Sequence, residues 1–412
     1  MLAERMSRVS TSPTMKVAGE AAKLKRQGVD VVDFGAGEPD FPTPQPAKDA
    51  AKVAIDQNFT KYTAPAGIPD LKQAICARYK SDYGVNFVEQ ECIATAGGKQ
   101  ALYNTAMVLY NPGDEVITHA PYWPTIPEQI KLADAKPVIV QTKAEDGFAI
   151  HPEAIIAAIT PRTKAIIINS PANPTGAVIS EENLAAIADA AAKRGIWVVV
   201  DLCYEKLIYD NVPHNLVKVL TDRMRDRTIL CGSASKAYSM TGWRCGWILG
   251  PKDVVTAADT LQGHSTSNVA SISQKAALQA LTGSQDPVGA MLSEYKTRRD
   301  KLMEWFSEDP RFECVTPRGA FYLFPRITKV LEATGIANTG DFSQMLLDEA
   351  RVALAAGEGF DAPGFLRISY ATSLDRLREG TTRILDFVKK HEQQAARHPN
   401  AAAALGAPPA VR

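Results

Sequence analysis

The sequence lacks several features that mark particular classes of protein. Its six cysteines include no C-x-x-C pair, which predicts neither a zinc site nor a disulfide framework. The 46 basic and 46 acidic residues cancel, which argues against a general nucleic-acid surface. No apolar run approaches the length of a membrane-spanning helix, and residues 1–14 lack the apolar core of a signal peptide. We therefore expect a cytoplasmic protein with reduced thiols, no metal, and no membrane or nucleic-acid partner.

The length of the chain and the order of its apolar segments predict an α/β protein with two domains. The 412 residues exceed what one compact core usually holds. Continuous apolar runs at 165–169 and 197–200 are typical of strands buried on both faces, and a capped helical segment at 181–194 separates them. This order predicts a mostly parallel sheet covered by helices.

A lysine with unusual surroundings follows another apolar run. Residues 228–231 read as a buried strand, and Ser233, Ser235 and Lys236 come directly after it. Desolvation at a strand end disfavours the charged form of the amine, which makes it a nucleophile. The two hydroxyls and the guanidinium of Arg244 suit a phosphate. A reactive amine beside a phosphate cradle predicts pyridoxal phosphate, although a surface loop with an ordinary lysine and arginine is the alternative.

A glycine pair supplies a second part of this anion site. Gly97 and Gly98 stand between an apolar strand at 93–96 and a helix that runs to residue 109. The backbone N–H groups and the dipole at a helix N-terminus favour an anion. The spacing differs from that of a P-loop, and the glycines at 35 and 37 lack the third glycine of a dinucleotide-binding fingerprint.

Three polar side chains lie at the predicted carboxyl ends of strands, where ligands bind in parallel sheets: Asn173, Asp201 and Lys236. Asp201 suits the pyridine nitrogen of the cofactor, which it would keep protonated so that the ring accepts electrons. Asn173 and Tyr204 suit the ring oxygen. Lys236 would form an imine with the aldehyde and then act as general base at the substrate Cα.

The ordered motifs resemble a known family. N-P-T-G at 173–176, D-x-x-Y at 201–204 and S-x-S-K at 233–236 are similar to the fold-type I, class I pyridoxal-phosphate aminotransferases, in particular the prokaryotic-type aspartate aminotransferase branch. The similarity runs from about residue 12 to 391. It implies an N-terminal arm and part of a small α+β domain at 1–46, a large cofactor-binding domain at 47–288 and the rest of the small domain at 289–394. The Ala- and Pro-rich segment 395–412 is predicted to be disordered.

The resemblance also implies roles for residues outside those motifs. Trp123 would pack on the cofactor ring, although its residue pattern alone also fits core packing. Arg367 would clamp the substrate α-carboxylate with the Gly37 amide nearby, and a structural salt bridge is the alternative for this arginine. A homodimer is implied, in which Tyr62 reaches the phosphate of the partner subunit. The chain departs from the family at two places. Residues 201–204 read D-L-C-Y where the family often has D-E-x-Y, and residues 357–360 read G-E-G-F where the family more commonly has P-G-x-x-F.

Substrate choice is predicted from Lys99. In this branch a lysine in G-G-K-Q meets the distal carboxylate of the substrate, and Ser12 and Thr14 match nearby positions. A lysine at a helix N-terminus is otherwise poorly placed for the dipole, although a solvated lysine is the alternative. The resemblance therefore implies amino-acid and 2-oxo-acid substrates, namely aspartate and 2-oxoglutarate, with prephenate as an alternative.

Two other classes of function stay open at this point. A β-lyase or a cyclopropane-forming synthase would use the same cofactor for different chemistry. A non-enzymatic regulator with this fold is disfavoured because Lys236 is retained and because such regulators usually carry an N-terminal DNA-binding domain, whereas only a few tens of residues precede the similar region here.

Overall fold

The structure, a computed structural model, describes residues 2–10 and 13–397, the side chains of 13–18 excepted. Its contacts divide the chain into two compact units. The larger unit comprises Met1–Ser10, Glu38–Glu294 and Arg318–Ala320, and the smaller comprises Thr11–Gly37, Tyr295–Pro317 and Phe321–Arg412. Ser12, the side chain of Thr14 and the segment 398–412 lie outside the described residues, so the calls made on them stay predictions, as do the domain boundaries at 46/47 and 288/289.

The helices of the described residues cover much of both units. In chain order they are α1 (Pro13–Arg26), α2 (Gln45–Asp56), α3 (Pro69–Tyr83), α4 (Gly98–Leu109), α5 (Thr125–Leu132), α6 (Pro152–Ala157), α7 (Glu181–Ala192), α8 (Leu216–Met224), α9 (Ala234–Ala237), α10 (Lys252–Ser265), α11 (Ser271–Thr282), α12 (Asp286–Phe306), α13 (Thr328–Thr334), α14 (Thr339–Met345) and α15 (Leu374–Arg397). In the part of the chain that the structure describes, none of them is long and apolar enough to cross a membrane.

The strands form one large sheet and two small ones. In chain order they are β1 (Val32–Asp33), β2 (Cys92–Thr95), β3 (Glu115–Ala120), β4 (Lys136–Gln141), β5 (Thr163–Asn169), β6 (Trp197–Asp201), β7 (Thr228–Ser233), β8 (Gly246–Leu249), β9 (Tyr322–Leu323), β10 (Val352–Ala353), β11 (Ala355–Ala356) and β12 (Leu366–Ser369).

The large sheet has seven strands in the order β2-β8-β7-β6-β5-β3-β4. Strand β8 is antiparallel to both of its neighbours, and the other neighbouring pairs are parallel. Alternate residues of the central strands point to opposite faces, as the two-residue period of a strand requires. Ile166 and Ile168 of β5 therefore enter one buried cluster, while Ala165 and Ile167 enter another. The predicted α/β fold with a mostly parallel sheet is confirmed.

The connection between β5 and β6 has the helix signals expected from the sequence. The Ser180 hydroxyl accepts a hydrogen bond of 3.1 Å from the Asn183 N–H and so caps α7. Gly195 follows the helix with a φ of 65°, in the left-handed region that favours glycine. Short, well-capped connections of this kind return the chain to the amino end of the next parallel strand, so the carboxyl ends of β5, β6 and β7 meet at one edge.

The smaller unit contains short strands. Strand β1 pairs in parallel with β10, and β12 pairs antiparallel with β11 and β9. Shortly before β9, Arg318 and Gly319 both donate their N–H groups to the Gly176 carbonyl at 2.9 Å. These hydrogen bonds to Gly176 account for the place of residues 318–320 in the larger unit.

Candidate active site

A glycine pair lies at the start of α4. Gly97 has a φ of 85°, and a Cβ built on it would lie 2.6 Å from Nη2 of Arg244. A Cβ on Gly98 would lie 3.3 Å from the Ser233 side chain. Because neither position carries a side chain, the backbone N–H groups of the helix start lie beside a guanidinium and a hydroxyl.

The serines and the arginine surround the same point. The Ser233 hydroxyl accepts from the Ser235 N–H at 3.1 Å and donates to the Ser235 hydroxyl at 2.9 Å. Arg244 donates to the Thr241 and Ala96 carbonyls at 2.9 and 3.2 Å, which fixes its guanidinium. One fixed cation, two hydroxyls and a helix N-terminus form an anion cradle of the kind that binds phosphate.

Asp201 ends β6 as a buried acid. The residue is 3% exposed, and its carboxylate accepts a hydrogen bond of 3.0 Å from the Cys203 N–H. Burial raises the pKa of Asp201 to about 6, while that hydrogen bond and the charge of Lys236 act in the opposite direction. A carboxylate held in this way favours a cationic partner. The departure from the family pattern at 202–203 leaves this acid in place. Leu202 is buried, and the Cys203 N–H is the donor to the Asp201 carboxylate.

Lys236 lies in the single turn of α9, directly after β7. It is half-buried, and its Nζ lies 5.9 Å from the centre of the Tyr204 ring. Its charge also acts on Asp201. The structure thus brings together the lysine, the acid and the phenol that the sequence places on two neighbouring strands.

Two buried residues near Asn173 were missed in the sequence. Asn169 is in register with Asp201, and its side-chain oxygen accepts from the Asn173 N–H at 2.8 Å. The Asn169 N–H donates to Nε2 of His119 at 3.2 Å. Burial lowers the pKa of His119 to about 4, so the ring is neutral and accepts. Polar residues at the carboxyl ends of β3 and β5 were the signal that could have identified this chain of hydrogen bonds.

Glu205, which follows Tyr204 in the chain, is a third residue that the sequence interpretation missed. Glu205 is buried and accepts hydrogen bonds from the phenols of Tyr83 at 2.7 Å and Tyr79 at 3.3 Å. Burial raises the pKa of Glu205. These contacts join the turn after β6 to α3 and hold the backbone that carries both Asp201 and Tyr204.

Lys99, in the first turn of α4, lies close to Trp123, which shortly precedes α5. The Lys99 ammonium lies 5.1 Å from the centre of the Trp123 ring, and the Lys99 carbonyl accepts from the Gln129 side chain at 2.9 Å. Lys99 as a residue is exposed, yet partial desolvation of its amine, and secondly the charge of Arg244, lower its pKa. Trp123 is half-buried against an apolar cluster, which fits core packing, and its contact with the cofactor ring stays a prediction.

The smaller unit holds Arg367 in a buried aromatic setting. The residue is 4% exposed, and its Nη2 donates to the Gly35 carbonyl at 2.8 Å. Its guanidinium carbon lies 4.5 Å from the Tyr322 ring centre and 5.1 Å from that of Phe360. A Cβ built on Gly37 would lie 3.2 Å from the Tyr322 hydroxyl, so Gly37 lies close to the same tyrosine.

Tyr62, in contrast, is 90% exposed in the larger unit. The roles predicted for the candidate residues stay predictions, because the structure describes their positions and not their ligands. Among the described residues no group of three or more histidine, cysteine, aspartate or glutamate side chains is arranged to hold a metal ion.

Comparison with known families identifies the chain. Residues 29–384 match the model of the family described as aminotransferase class I and II. The chain belongs to this family. It is 43% identical to an aspartate aminotransferase of Geobacillus stearothermophilus over 388 residues, which are 94% of this chain and 99% of that protein. It is 42% identical to an aspartate/prephenate aminotransferase of Cereibacter sphaeroides over 392 residues, which are 94% of this chain and 98% of that protein.

A solved structure agrees with this assignment. The aminotransferase is similar to the aspartate aminotransferase of Thermus thermophilus with maleate, with a TM-score of 0.87 at 39% identity over 93% of this chain and 98% of the other. The family resemblance carried by the motifs in the sequence is therefore confirmed.

The raised pKa of Asp201 leads to a signed prediction for the aminotransferase without cofactor. Its pKa of about 6 in the folded state lies above the ordinary 3.8, so the folded protein binds the proton more tightly, and burial of the carboxylate becomes destabilising as the pH rises from about 4 to 6. We expect Asp201→Asn to gain up to about 3 kcal/mol of unfolding free energy relative to the wild type between pH 4 and pH 7. Urea unfolding at several pH values measures this, with the exposed Asp56→Asn as control. A difference that is constant with pH contradicts the prediction.

The packing of β8 against the cradle leads to a second prediction. A Cβ on Gly246 would lie 2.6 Å from backbone atoms of Gly97 and Gly98 and 2.8 Å from the Gly232 carbonyl. Backbone cannot move aside as a flexible side chain can, so Gly246→Ala should lower the free energy of unfolding by about 1–3 kcal/mol. Gly242 has no atom within 4 Å of such a Cβ, and Gly242→Ala should change it by less than about 0.5 kcal/mol. Equal effects in urea unfolding would show that the close approach is unimportant.

Proposed function

We propose that this aminotransferase uses pyridoxal phosphate and transfers an amino group between aspartate and 2-oxoglutarate. The observation that carries the proposal is the position of Lys236, a half-buried amine close to the buried acid Asp201 and next to the anion cradle. The relatives named aspartate aminotransferase support the choice of substrate.

The residues present fit this cofactor. The glycine pair leaves its backbone open where a Cβ would meet Arg244, which suits a phosphate held by Gly97, Gly98, Ser233, Ser235 and Arg244. Asp201 would hold the ring nitrogen, Asn173 and Tyr204 the ring oxygen, and Trp123 the ring face. When bound, pyridoxal phosphate supplies an aldehyde for covalent attachment and an electron sink for the charge left at the substrate Cα.

The residues of this chain then divide the remaining work. Lys236 Nζ would accept the proton from the substrate Cα as general base, and in the second half-reaction it would deliver a proton to the Cα of the new amino acid. Its position beside Asp201 and the Tyr204 ring suits it to this role. The buried carboxylate of Asp201 stabilises positive charge at the ring nitrogen more strongly than it would in water. The chain of hydrogen bonds from His119 through Asn169 holds the backbone of Asn173. One site that accepts two substrates in turn implies ping-pong kinetics.

Two cations suit the two carboxylates of aspartate. Arg367 would bind the α-carboxylate, since it is buried and presents a planar fork of donors. Lys99 would bind the distal carboxylate, with Ser12 and Thr14 as further predicted contacts. The lowered pKa of Lys99 indicates a partly desolvated amine, for which an anionic substrate group is a favourable partner.

The proposal extends to assembly and location. We infer a homodimer in which the exposed Tyr62 phenol donates to the phosphate in the partner subunit, because an aromatic side chain that is 90% exposed gains little within its own subunit. The six cysteines are free, which fits a protein of the reducing cytoplasm.

The first test of the function is the absorption spectrum of the purified protein. We expect a yellow band at about 360–430 nm after loading with pyridoxal phosphate. The band should disappear on addition of aspartate and return with 2-oxoglutarate. Release of ammonia and pyruvate would instead indicate a β-lyase, and a protein that cannot be loaded would refute the role of Lys236.

Prephenate is a second candidate acceptor, because it carries two carboxylates and a relative is named aspartate/prephenate aminotransferase. After reaction with aspartate, recovery of the band with prephenate at a rate similar to that with 2-oxoglutarate would add this substrate. A lack of recovery would exclude it.

Lys99 is tested by comparing two substrates. Lys99→Met should lower kcat/KM for aspartate about 10- to 100-fold, as the loss of a charge-assisted hydrogen bond predicts. The value for alanine, which has no distal carboxylate, should stay nearly unchanged. Lys252→Met, at the exposed start of α10, is the control for the loss of one surface charge. An equal loss for aspartate and alanine would contradict this role of Lys99.

A further inference from the structure

Two buried glutamines form hydrogen bonds to the loop that carries Tyr62. This loop, residues 59–68, is defined here as the Tyr62 loop, and it has no helix or strand of its own. Gln262 of α10 and Gln274 of α11 are both 0% exposed, whereas Tyr62 is 90% exposed. Burial of an amide without hydrogen bonds costs free energy of folding, so the hydrogen-bond partners of these two glutamines indicate their structural role.

Gln274 binds the loop on both sides of its turn. Its side-chain oxygen accepts from the Ile68 N–H at 2.8 Å, and its nitrogen donates to the Thr63 hydroxyl at 2.9 Å. The second N–H of that nitrogen reaches the Val269 carbonyl at 2.8 Å. Thr63 is adjacent to Tyr62, so this amide restrains the side chain of the residue directly beside the tyrosine.

Gln262 holds the middle of the same loop. Its nitrogen donates to the Pro65 carbonyl at 2.6 Å and to the Ala94 carbonyl at 2.8 Å, and its oxygen accepts from Asn104 at 3.0 Å. The backbone adds a link, since the Ala94 N–H donates to the Ala66 carbonyl at 2.9 Å. The loop is thereby joined to β2 and α4, the two elements on either side of the glycine pair.

The chemistry of these contacts requires an amide. Each glutamine uses both N–H groups as donors and its oxygen as acceptor, a combination that neither glutamate nor an apolar side chain of similar size provides. Gly67, with a φ of 96°, lets the loop pack closely, because a Cβ there would lie 2.8 Å from the Ala94 Cβ. A fixed backbone under an exposed aromatic side chain lowers the entropy cost of an intermolecular contact.

We propose that Gln274 and Gln262 are positioning residues that hold the Tyr62 loop so that the Tyr62 phenol meets the phosphate bound in a second copy of this chain. The inference rests on the proposed function, which supplies the phosphate and the dimer. It adds that the contact between subunits depends on two amides that are buried in the subunit that donates the tyrosine.

The test is a double-mutant cycle read out as affinity for two ligands. Dissociation constants of the cofactor-free dimer for pyridoxal phosphate and for pyridoxal, which lacks the phosphate, are measured for the wild type, Tyr62→Phe, Gln274→Met and the double variant. Methionine matches the shape of glutamine without its hydrogen bonds. We expect each single change to weaken pyridoxal phosphate binding about 10-fold and to leave pyridoxal binding nearly unchanged, as the loss of one hydrogen bond to a charged group predicts.

The double variant decides between positioning and general structure. If Gln274 acts through Tyr62, adding Gln274→Met to Tyr62→Phe should weaken binding by less than about 2-fold more. Effects that multiply, an equal loss for both ligands, or no effect of Gln274→Met would overturn the inference while the proposed function stands. Binding of pyridoxal phosphate that is unaffected by Tyr62→Phe would refute the role of Tyr62 itself, and no binding by the wild type would refute the proposed function.

Two further variants keep the test informative. Gln279→Met makes the same replacement five residues further along α11, at a half-buried position outside the loop contacts, and should leave both affinities at the wild-type value. If Gln274→Met does not fold, Thr63→Val removes the hydroxyl that accepts from Gln274 at a half-buried position and enters the same cycle. Additivity of Thr63→Val with Tyr62→Phe would count against the inference in the same way.

Discussion

The buried carboxylate of Asp201, at the carboxyl end of the central strand β6, is the constraint on which the site depends. Asp201 is in register with Asn169 on one side and with Cys231 on the other, so its position is set by the ladder of three parallel strands. An acid with so little solvent needs either a proton or a positive partner. Lys236 is placed one strand away by the same ladder, and the turn that follows Asp201 is held by the Glu205 contacts with two tyrosines. The positions of these polar groups are thus set by the strand register and by the hydrogen bonds of Glu205.

The antiparallel strand β8 determines the shape of the anion cradle. It lies between β7, which leads to the serines, and β2, which leads to the glycine pair. Because Gly246, Gly97 and Gly98 approach one another without side chains, the start of α4 can lie directly beside Ser233 and Arg244. The cradle is therefore a product of backbone packing as much as of the charged and hydroxyl groups. This is why the motif spacing, rather than any single residue, carries the resemblance to the family.

The predicted contacts with substrate are divided between groups with different surroundings. Arg367 is buried among aromatic rings in the smaller unit, as suits a group that meets the carboxylate common to all amino acids. Lys99 is more exposed and is restrained by Trp123, as suits a group that selects among side chains. Tyr62 is more exposed still, and its loop is restrained by amides that lie on α10 and α11. The exposure of the side chain is thus lowest for Arg367, the predicted contact with the α-carboxylate, and highest for Tyr62, the proposed contact between subunits.

The sequence by itself determined the alternation of strands and helices, the identity of the lysine, acid, asparagine and phenol at the strand ends, and the family. These follow from local patterns: apolar runs, caps, glycines and short motifs. It offered polar residues at the ends of β3 and β5 but not the hydrogen bonds by which His119 and Asn169 hold Asn173, and it could not reveal that Glu205 binds two tyrosines. Only the tertiary structure decided these points, and with them the raised pKa of Asp201, because burial and hydrogen-bond partners depend on residues far apart in the chain. Gln274 and Ile68, 206 residues apart, are hydrogen-bonded only because α11 and the Tyr62 loop pack together, and no local pattern encodes that contact.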